Sequence, residues 1–211
     1  MRRFAVATIV SLIALAASAA DLAKYWTVHI DHPKDRAAYE KLERQFNETL
    51  RDFYNANHIA QPPVVRITTD DGHYYGLRPK ATLADIEKPS PLGPELEKQL
   101  EPIMAPISAD THKTLRDHHN EIWRIERDLT TATEITPRKY AMLRTDVVAP
   151  PDDEAYGVAM KELIRGLRGV DVVAFFSAYG DGAYRYLFLS DAPIRIRTLK
   201  LAETHDSAAH F

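Results

Sequence analysis

The chain has 211 residues, and none of them is cysteine. This absence excludes disulfides, cysteine-ligated zinc, iron–sulfur clusters, thiol nucleophiles and covalently attached c-type haem. The fold therefore depends on its hydrophobic core. A chain of this length suffices for one core or for two small fused ones.

Long apolar runs are scarce as well. The run at residues 4–17 spans 14 residues, whereas a membrane-spanning helix needs about 20. It follows two arginines and precedes Ala17-Ser18-Ala19, which is the order of a cleaved secretory signal peptide. We therefore predict a signal peptide at residues 1–20 and a mature chain that begins at Ala20 or Asp21. The protein is then exported, periplasmic or secreted, and has no stable membrane anchor.

An excess of positive charge is also missing. Without residues 1–20 the chain has 25 Lys and Arg residues against 30 Asp and Glu residues, a formal charge of −5. This balance argues against nucleic acid as a partner. The glycine patterns of nucleotide-binding loops, the Gly-x-Ser-x-Gly elbow and the His-Glu-x-x-His zinc helix are absent too. The motifs therefore identify no metal site or cofactor and leave open whether the protein is an enzyme.

The remaining sequence repeats one order of elements. Residues 24–31 alternate polar and apolar side chains, which predicts a strand, and an amphipathic helix follows from Pro33. Residues 64–70 and 73–78 then form a predicted hairpin around Gly72. The same order of strand, helix and hairpin returns between residues 139 and 190, with Gly180 at the position that corresponds to Gly72. We interpret this pattern as an internal duplication of a β-α-β-β unit.

The duplication divides the chain into five parts. The predicted parts are the signal peptide (1–20), the first repeat (21–80), a helical insert (81–136), the second repeat (137–192) and a tail (193–211). Within the insert we predict a helix over residues 110–129. In the tail we predict a brief edge strand near Ile194 and Ile196, followed by a polar end that frays.

The two repeats resemble a known fold. They share a strand, a proline-initiated helix and a glycine-turned hairpin with paired aromatic residues: YWTVHIDHPKDRAAYEKL with VVRITTDDGHYYGLRP, and KYAMLRTDVVAPPDDEAY with VVAFFSAYGDGAYRYLFL. The pattern resembles the dimeric α/β-barrel (ferredoxin-like) superfamily, in the fused pseudo-dimeric form of some uncharacterised exported bacterial proteins. The resemblance implies an α+β fold of two fused ferredoxin-like repeats in a pseudo-dimeric α/β barrel with a helical insert. Because the superfamily includes cofactor-free monooxygenases and haem-dependent enzymes, it also implies haem as one candidate cofactor.

One candidate functional residue lies in the predicted helix at 110–129. Leu115, Ile122 and Ile125 lie on one apolar face of that helix, and His118 is its polar member. A buried neutral imidazole there is a candidate haem ligand or general base. The alternative is a core histidine that only satisfies a hydrogen bond.

The second candidate site is the polar face of the predicted strands. If helices cover the other face, these side chains line an inter-sheet cavity that suits an anionic or aromatic small molecule. The alternative is a polar face that only meets solvent. Together with His118, the candidate ligand-binding residues are His29, Arg66, His73, Tyr75, Arg144 and Tyr184.

Three functions are compatible with this pattern. The first is an exported protein that binds a small molecule in the inter-sheet cavity. The second is a monooxygenase-like or haem-dependent enzyme of the dimeric α/β-barrel type, and the third is a structural or interaction protein without a pocket. The lack of a convergent catalytic motif favours the first.

Overall fold

The computed structural model describes residues 22–88, 91–197 and 199–211. The predicted signal peptide and the two predicted mature N-termini, Ala20 and Asp21, lie outside these residues. Within them, no helix is both long enough and apolar enough to cross a bilayer. The main elements are β1 (Tyr25–Pro33), α1 (Arg36–Ala56), β2 (Val65–Thr69), β3 (Tyr74–Lys80), α2 (Gly93–Thr114), β4 (Leu115–Ile125), β5 (Tyr140–Val148), α3 (Asp153–Gly166), β6 (Val170–Tyr179), β7 (Tyr184–Ser190) and β8 (Ala202–His210).

The eight strands in the described part of the chain form one closed antiparallel barrel, in the order β1-β3-β2-β8-β5-β7-β6-β4. One half, β4-β1-β3-β2, is the sheet of a ferredoxin-like unit. The other half, β8-β5-β7-β6, repeats that order. The fold is thus α+β, with two fused ferredoxin-like repeats in a pseudo-dimeric barrel, as the sequence predicts.

Two seams join the repeats and close the barrel. At one seam β4 pairs with β6 through all residues from Ile122 to Ile125. At the other seam β2 pairs with β8 only through Thr68 and Thr69. Because the two sheets close on each other, their inner faces form one shared core.

The apolar faces of the strands point into the barrel. Trp26 packs edge-on against Phe175, with 6.1 Å between ring centroids, and Trp123 lies 5.3 Å from the same ring. Leu187 and Leu189 of β7 complete this core and are almost fully buried. An eight-stranded barrel has a narrow interior, and here buried side chains of both sheets fill it. The space between the sheets, where we expected a cavity, therefore holds the hydrophobic core.

The outside of the barrel is covered differently in the two repeats. In the first repeat, α1 lies on the sheet and α2 packs against α1. In the second repeat, Tyr156 and Met160 of α3 pack against Tyr186 and Phe188 of β7. The described residues between β7 and β8 form no helix, and Ile194 packs against the same cluster. The second repeat therefore has one covering helix where the first has two.

The helix predicted over residues 110–129 is wrong. Helix α2 ends at Thr114, and the next residues form strand β4. Apolar residues spaced three and four apart suggested a helix, but the segment is a strand whose residues alternate. Glu121 and Trp123 face inward, and His118 faces outward. Pairing with β1 and β6 supplies the hydrogen bonds of this strand, and such distant partners are not visible in a local sequence window.

The predicted course of the tail is wrong as well. Ile194 and Ile196 do not form an edge strand, and the polar end does not fray. The final residues form β8, which lies between β2 and β5 inside the barrel sheet. Its inward positions include Ser207 and Ala209, small residues whose weak hydrophobicity concealed the strand.

In the two hairpin turns, the structure aligns Gly72 with Gly182, whereas the sequence pairs Gly72 with Gly180. Gly72 has a φ of 89° and Gly182 a φ of 71°, a left-handed conformation that strongly favours glycine. Gly180, which the sequence pairs with Gly72, does not adopt it. Asp71 and Asp181 are consequently equivalent positions in the two turns.

Candidate functional site

Polar side chains line one end of the barrel interior, which we call the mouth. Each lies two positions from an apolar core residue of its own strand, at the end where the β2–β3 and β6–β7 turns lie. Alternate residues of a strand face the same side, so these polar residues point inward as the core residues do. The mouth residues are Thr69, Tyr75, Glu121, Thr145, Ser177, Arg185 and Ser207.

Glu121 is an enclosed carboxylate of the mouth, with its side chain 2% exposed. It accepts hydrogen bonds from Trp123 Nε1 at 2.5 Å and from Ser177 Oγ at 2.8 Å. The β6–β7 turn lies close above it. A Cβ at Gly180 would lie 2.3 Å from Ser177 Oγ and 2.7 Å from Glu121 Cδ, so only glycine permits this approach.

Arg185 is the fixed cation of the mouth, and its side chain is 7% exposed. Its two terminal nitrogens donate to the two carboxylate oxygens of Asp181 at 3.0 and 2.6 Å, and Nη1 lies 3.3 Å from Glu121 Oε2. The guanidinium carbon lies 4.8 Å from the ring centroid of Trp123. The Nε–H, however, has no acceptor among the residues that the structure describes. A buried donor without an acceptor costs about 1–3 kcal/mol, so an external acceptor is favoured here.

Tyr75 occupies the position of the first repeat that corresponds to Arg185 in the second. Its ring lies 5.9 Å from that of Trp123. Burial raises the pKa of Tyr75 to about 12, while the nearby Arg185 acts in the opposite direction and Asp71 adds to the increase. Tyr75 of the first repeat and Arg185 of the second therefore both face the mouth. The hydroxyl stays protonated at neutral pH and can donate as well as accept a hydrogen bond.

Asp71 holds the short β2–β8 seam on the other side of the mouth. Its Oδ2 accepts from Ser207 Oγ at 3.0 Å and lies 2.9 Å from His205 Nε2, and its Oδ1 lies 3.2 Å from His73 Nδ1. Burial alone would raise the pKa of Asp71, but hydrogen bonds from Thr69 and from these neighbours lower it far below its usual range. The carboxylate is therefore ionised at neutral pH.

The mouth is open to solvent above this lining. The side chains of Asp71, Asp181 and His119 are 29%, 47% and 54% exposed. Two open grooves of about 510 and 350 Å³ lie elsewhere, on the outside of the barrel beside the segment that links β7 to β8. The smaller groove includes Ser207, but Tyr75, Glu121 and Arg185 of the mouth line neither groove.

The structure places two of the predicted site residues at the mouth. The rings of His73 and Tyr75 lie 6.2 Å apart, and His32 stacks on His73 at 4.4 Å. The sequence predicts both as ligand-binding residues, but the other predicted residues are not their neighbours in the structure. Their companions are Glu121 and Arg185, which were not predicted.

A detectable signal marked both missed residues. Arg185 alternates with Leu187 and Leu189, and Glu121 alternates with Trp123 and Ile125. A charged side chain on the apolar side of a strand points into the core, where ionised groups need partners. That signal was hidden for Glu121 because its segment was predicted as a helix.

His118 is an exposed residue on the outward face of β4, not a buried one. Its ring stacks on His112 at 4.8 Å and lies 6.1 Å from the ring of His29. Haem needs apolar walls against its macrocycle, and these polar, exposed surroundings do not fit it. No group of three or more ligating side chains in the described residues is arranged to hold a metal ion.

His29 also faces outward, from β1. Its Nε2 lies 2.9 Å from Asp31 Oδ1, its Nδ1 lies 2.8 Å from Asn120 Oδ1, and Tyr39 of α1 donates to Asp31 at 2.7 Å. The hydrogen bond to Asp31 raises the pKa of His29 despite the opposing effect of burial. These contacts attach α1 to the first sheet.

The corresponding residue of the second repeat is Arg144, which is fully buried under α3. Its Nε donates to Asp146 at 2.9 Å, and Tyr156 donates to the same carboxylate at 2.6 Å. Arg144 thus belongs to a structural ion pair outside the barrel.

The last two predicted residues also lie outside the barrel. Arg66 lies 3.3 Å from Glu43 of α1. Tyr184 donates a hydrogen bond to Asp153 of α3 at 2.7 Å. The prediction of one shared interior lining is therefore wrong for His29, Arg66, Arg144 and Tyr184.

Comparison with known proteins supports the fold. No protein-family model matches the chain, and no curated protein matches its sequence. A solved structure of a proposed monooxygenase from Lactobacillus acidophilus has a TM-score of 0.52 at 8% identity, covering 88% of this chain and 92% of that one. A second, from Fusobacterium nucleatum, has a TM-score of 0.51 at 10% identity, covering 89% and 92%. The likeness supports the α+β fold of two fused ferredoxin-like repeats in a pseudo-dimeric barrel. At these identities the likeness shows the fold alone.

Proposed function

We propose that the protein binds a small molecule at the mouth of the barrel. The observation that carries the proposal is the Nε–H of Arg185, which lacks an acceptor among the described residues although the side chain is 7% exposed. Tyr75, which is only partly buried, supplies aromatic surface beside it, and Trp123 lies buried beneath the guanidinium. An apolar surface with a few converging polar groups is typical of ligand sites.

The sequence predicts a ligand in the inter-sheet cavity, whereas we propose that it binds at the end of the barrel. Below the mouth, Trp123, Phe175 and Leu187 are fully buried and fill the interior. Above it, the rim side chains are solvent-accessible. A molecule can therefore contact Tyr75 and Arg185 without displacing the core.

The test uses three probes that share a phenol ring: 4-hydroxyacetophenone, which is neutral, 4-hydroxybenzoate, an anion, and tyramine, a cation. The signals followed by nitrogen-15 NMR are the Nε–H of Arg185 and the indole N–H of Trp123. Trp26→Phe identifies the indole signals, because the chain has two tryptophans. At least one probe should shift both signals in a saturable way.

Arg185→Lys should abolish this response, because lysine retains the charge but has no Nε–H. Arg124→Lys is the matched control: Arg124 is paired with Glu126 at 2.7 Å and lies over the ring of Phe176 on the outside of the barrel. Titrations that leave both wild-type signals in place, or that shift the Trp123 signal of Arg185→Lys as much as that of the wild type, would show that the mouth is not the site.

Oxygenation of the bound molecule is a second candidate function. Both structures described above are proposed monooxygenases, and Tyr75 provides a protonated hydroxyl beside the bound molecule. The check is oxygen uptake with whichever probe shifts the Arg185 signal, together with an absorbance scan for a Soret band. Uptake no greater than that of Arg185→Lys would restrict the protein to binding.

Export is part of the proposed function as well. The order of two arginines, an apolar run and Ala17-Ser18-Ala19 supports removal of residues 1–20 during secretion. Mass spectrometry of the exported protein should show an N-terminus at Ala20 or Asp21. A soluble mature form that retains Met1 would contradict this.

A further inference from the structure

We infer that the molecule bound at the mouth is a neutral aromatic compound with a hydrogen-bond-accepting oxygen, such as a phenolic ketone. This inference rests on the proposed binding function and specifies the chemical class of its ligand. It differs from the anionic ligand that the arginines of the sequence suggest.

The charges of the mouth disfavour an anion. Both terminal nitrogens of Arg185 already bind Asp181, and Nη1 also lies 3.3 Å from Glu121. Asp71, on the opposite turn, is a third carboxylate, and its charge raises the pKa of Tyr75. Because the carboxylates of Asp181 and Glu121 already contact the guanidinium, a ligand carboxylate would meet like charge, which costs several kcal/mol when such groups are close.

The hydrogen-bonding requirement disfavours a purely apolar ligand. The Nε–H of Arg185 needs an acceptor, and none of the described residues provides one. A ketone oxygen accepts this hydrogen bond without adding charge. Tyr75, whose hydroxyl is protonated at neutral pH, offers a second donor on the same side.

The aromatic part of the inference comes from the ring of Tyr75, which is partly buried, whereas Trp123 beneath it is fully buried. Tyr75 and Trp123 lie 5.9 Å apart at an angle of 50°, and the Arg185 guanidinium lies over Trp123. A flat ring placed against Tyr75 makes the offset or edge contacts that aromatic pairs favour. The mouth thus combines aromatic surface with donors rather than acceptors.

The experiment compares dissociation constants of the three probes, measured on the wild-type protein from the Arg185 Nε–H signal. We expect 4-hydroxyacetophenone to bind at least about tenfold more tightly than 4-hydroxybenzoate, since repulsion of about 1.4 kcal/mol already gives that ratio. Tyramine lacks the carbonyl and should bind more weakly than the ketone. If the anion or the cation binds as tightly as the ketone, the inference is wrong while the proposed function stands.

A charge variant sharpens the comparison. Asp181→Asn removes one carboxylate but keeps an oxygen that can accept from the N–H of Ala183, as Asp181 does at 3.0 Å. Affinity for 4-hydroxybenzoate should increase about tenfold, and affinity for the ketone should change less than about threefold. Asp117→Asn is the control, because Asp117 is 57% exposed and lies beside His32 rather than Arg185.

The outcomes separate the two proposals. An unchanged preference in Asp181→Asn would show that the mouth carboxylates do not select the ligand. Failure of all three probes to reach the Arg185 signal would overturn the proposed function, and the ligand class with it. The wild-type ratio decides the inference even if a variant does not fold.

Discussion

The two repeats build the same contact from different cations. In the first, His29, Asp31 and Tyr39 connect β1 to α1; in the second, Arg144, Asp146 and Tyr156 connect β5 to α3. In each case the cation lies two residues before the aspartate on the first strand, and the tyrosine comes from the helix that follows. The shared arrangement supports a duplicated unit more strongly than residue identity does.

The difference between the two contacts is in burial and in charge. Arg144 and Asp146 are completely buried, whereas the side chain of His29 is 46% exposed. An arginine keeps its charge at any accessible pH, while a histidine can lose it near neutrality. The second repeat is therefore sealed at this point and contains a permanent cation, whereas the first is partly exposed and contains a titratable one.

Among variants of these two contacts, we expect the largest loss of stability from Arg144→Met. It leaves the carboxylate of Asp146 buried without its cation, which we expect to cost about 3–5 kcal/mol of unfolding free energy. Urea denaturation measures the change. The double variant Arg144→Met/Asp146→Asn should recover most of the loss, because it removes the uncompensated charge as well. A double variant no more stable than the single one would show that packing, not charge, is responsible.

The tyrosines test the two contacts with matched changes. Tyr156→Phe and Tyr39→Phe each remove a donor from a buried aspartate and should cost about 1–3 kcal/mol. We expect the larger loss for Tyr156, because its hydroxyl also lies 2.9 Å from that of Tyr186. Chemical denaturation of both variants beside the wild type decides the order. Equal or reversed losses would remove the claimed asymmetry between the repeats.

The smallest effect is expected for His29→Gln, at most about 1 kcal/mol, because the pair is partly exposed and screened by solvent. Asp31 raises the pKa of His29 above its ordinary value of 6.5, so protonation favours the folded state. The contribution of His29 is therefore complete below that pH and disappears as the pH rises through the raised pKa. Burial would raise the pKa of Asp31, but bonds from His29 and Tyr39 lower it below 3.8. The pair's contribution consequently also fades in acid.

The measurement compares wild type and His29→Gln by urea unfolding at acidic, neutral and alkaline pH. The difference should be largest between about pH 4 and 6.5 and should shrink toward pH 8.5. A parallel series with Arg144→Met should show no such decrease at alkaline pH. A constant difference for His29→Gln would mean that its charge contributes nothing to the contact.

The candidate site was only partly accessible to sequence reasoning. His73 and Tyr75 were found because they flank a recognisable hairpin turn, and both lie at the mouth. Glu121 was missed because its apolar neighbours satisfied helical spacing, although pairing with two distant strands makes the segment β4. Local periodicity cannot distinguish these outcomes when the strand's partners lie far away in the chain.

The amino-acid sequence by itself determined the β-α-β-β units and their duplication, because alternation, helix starts and turns are local properties. Only the tertiary structure decided which strand face points into the barrel. Trp26, Val28 and Ile30 enter the shared core, which turns His29 toward α1, since adjacent residues of a strand face opposite sides. It also decided that Arg185 and Tyr75 meet at one mouth, because that meeting depends on the closure of two sheets whose strands are far apart in sequence.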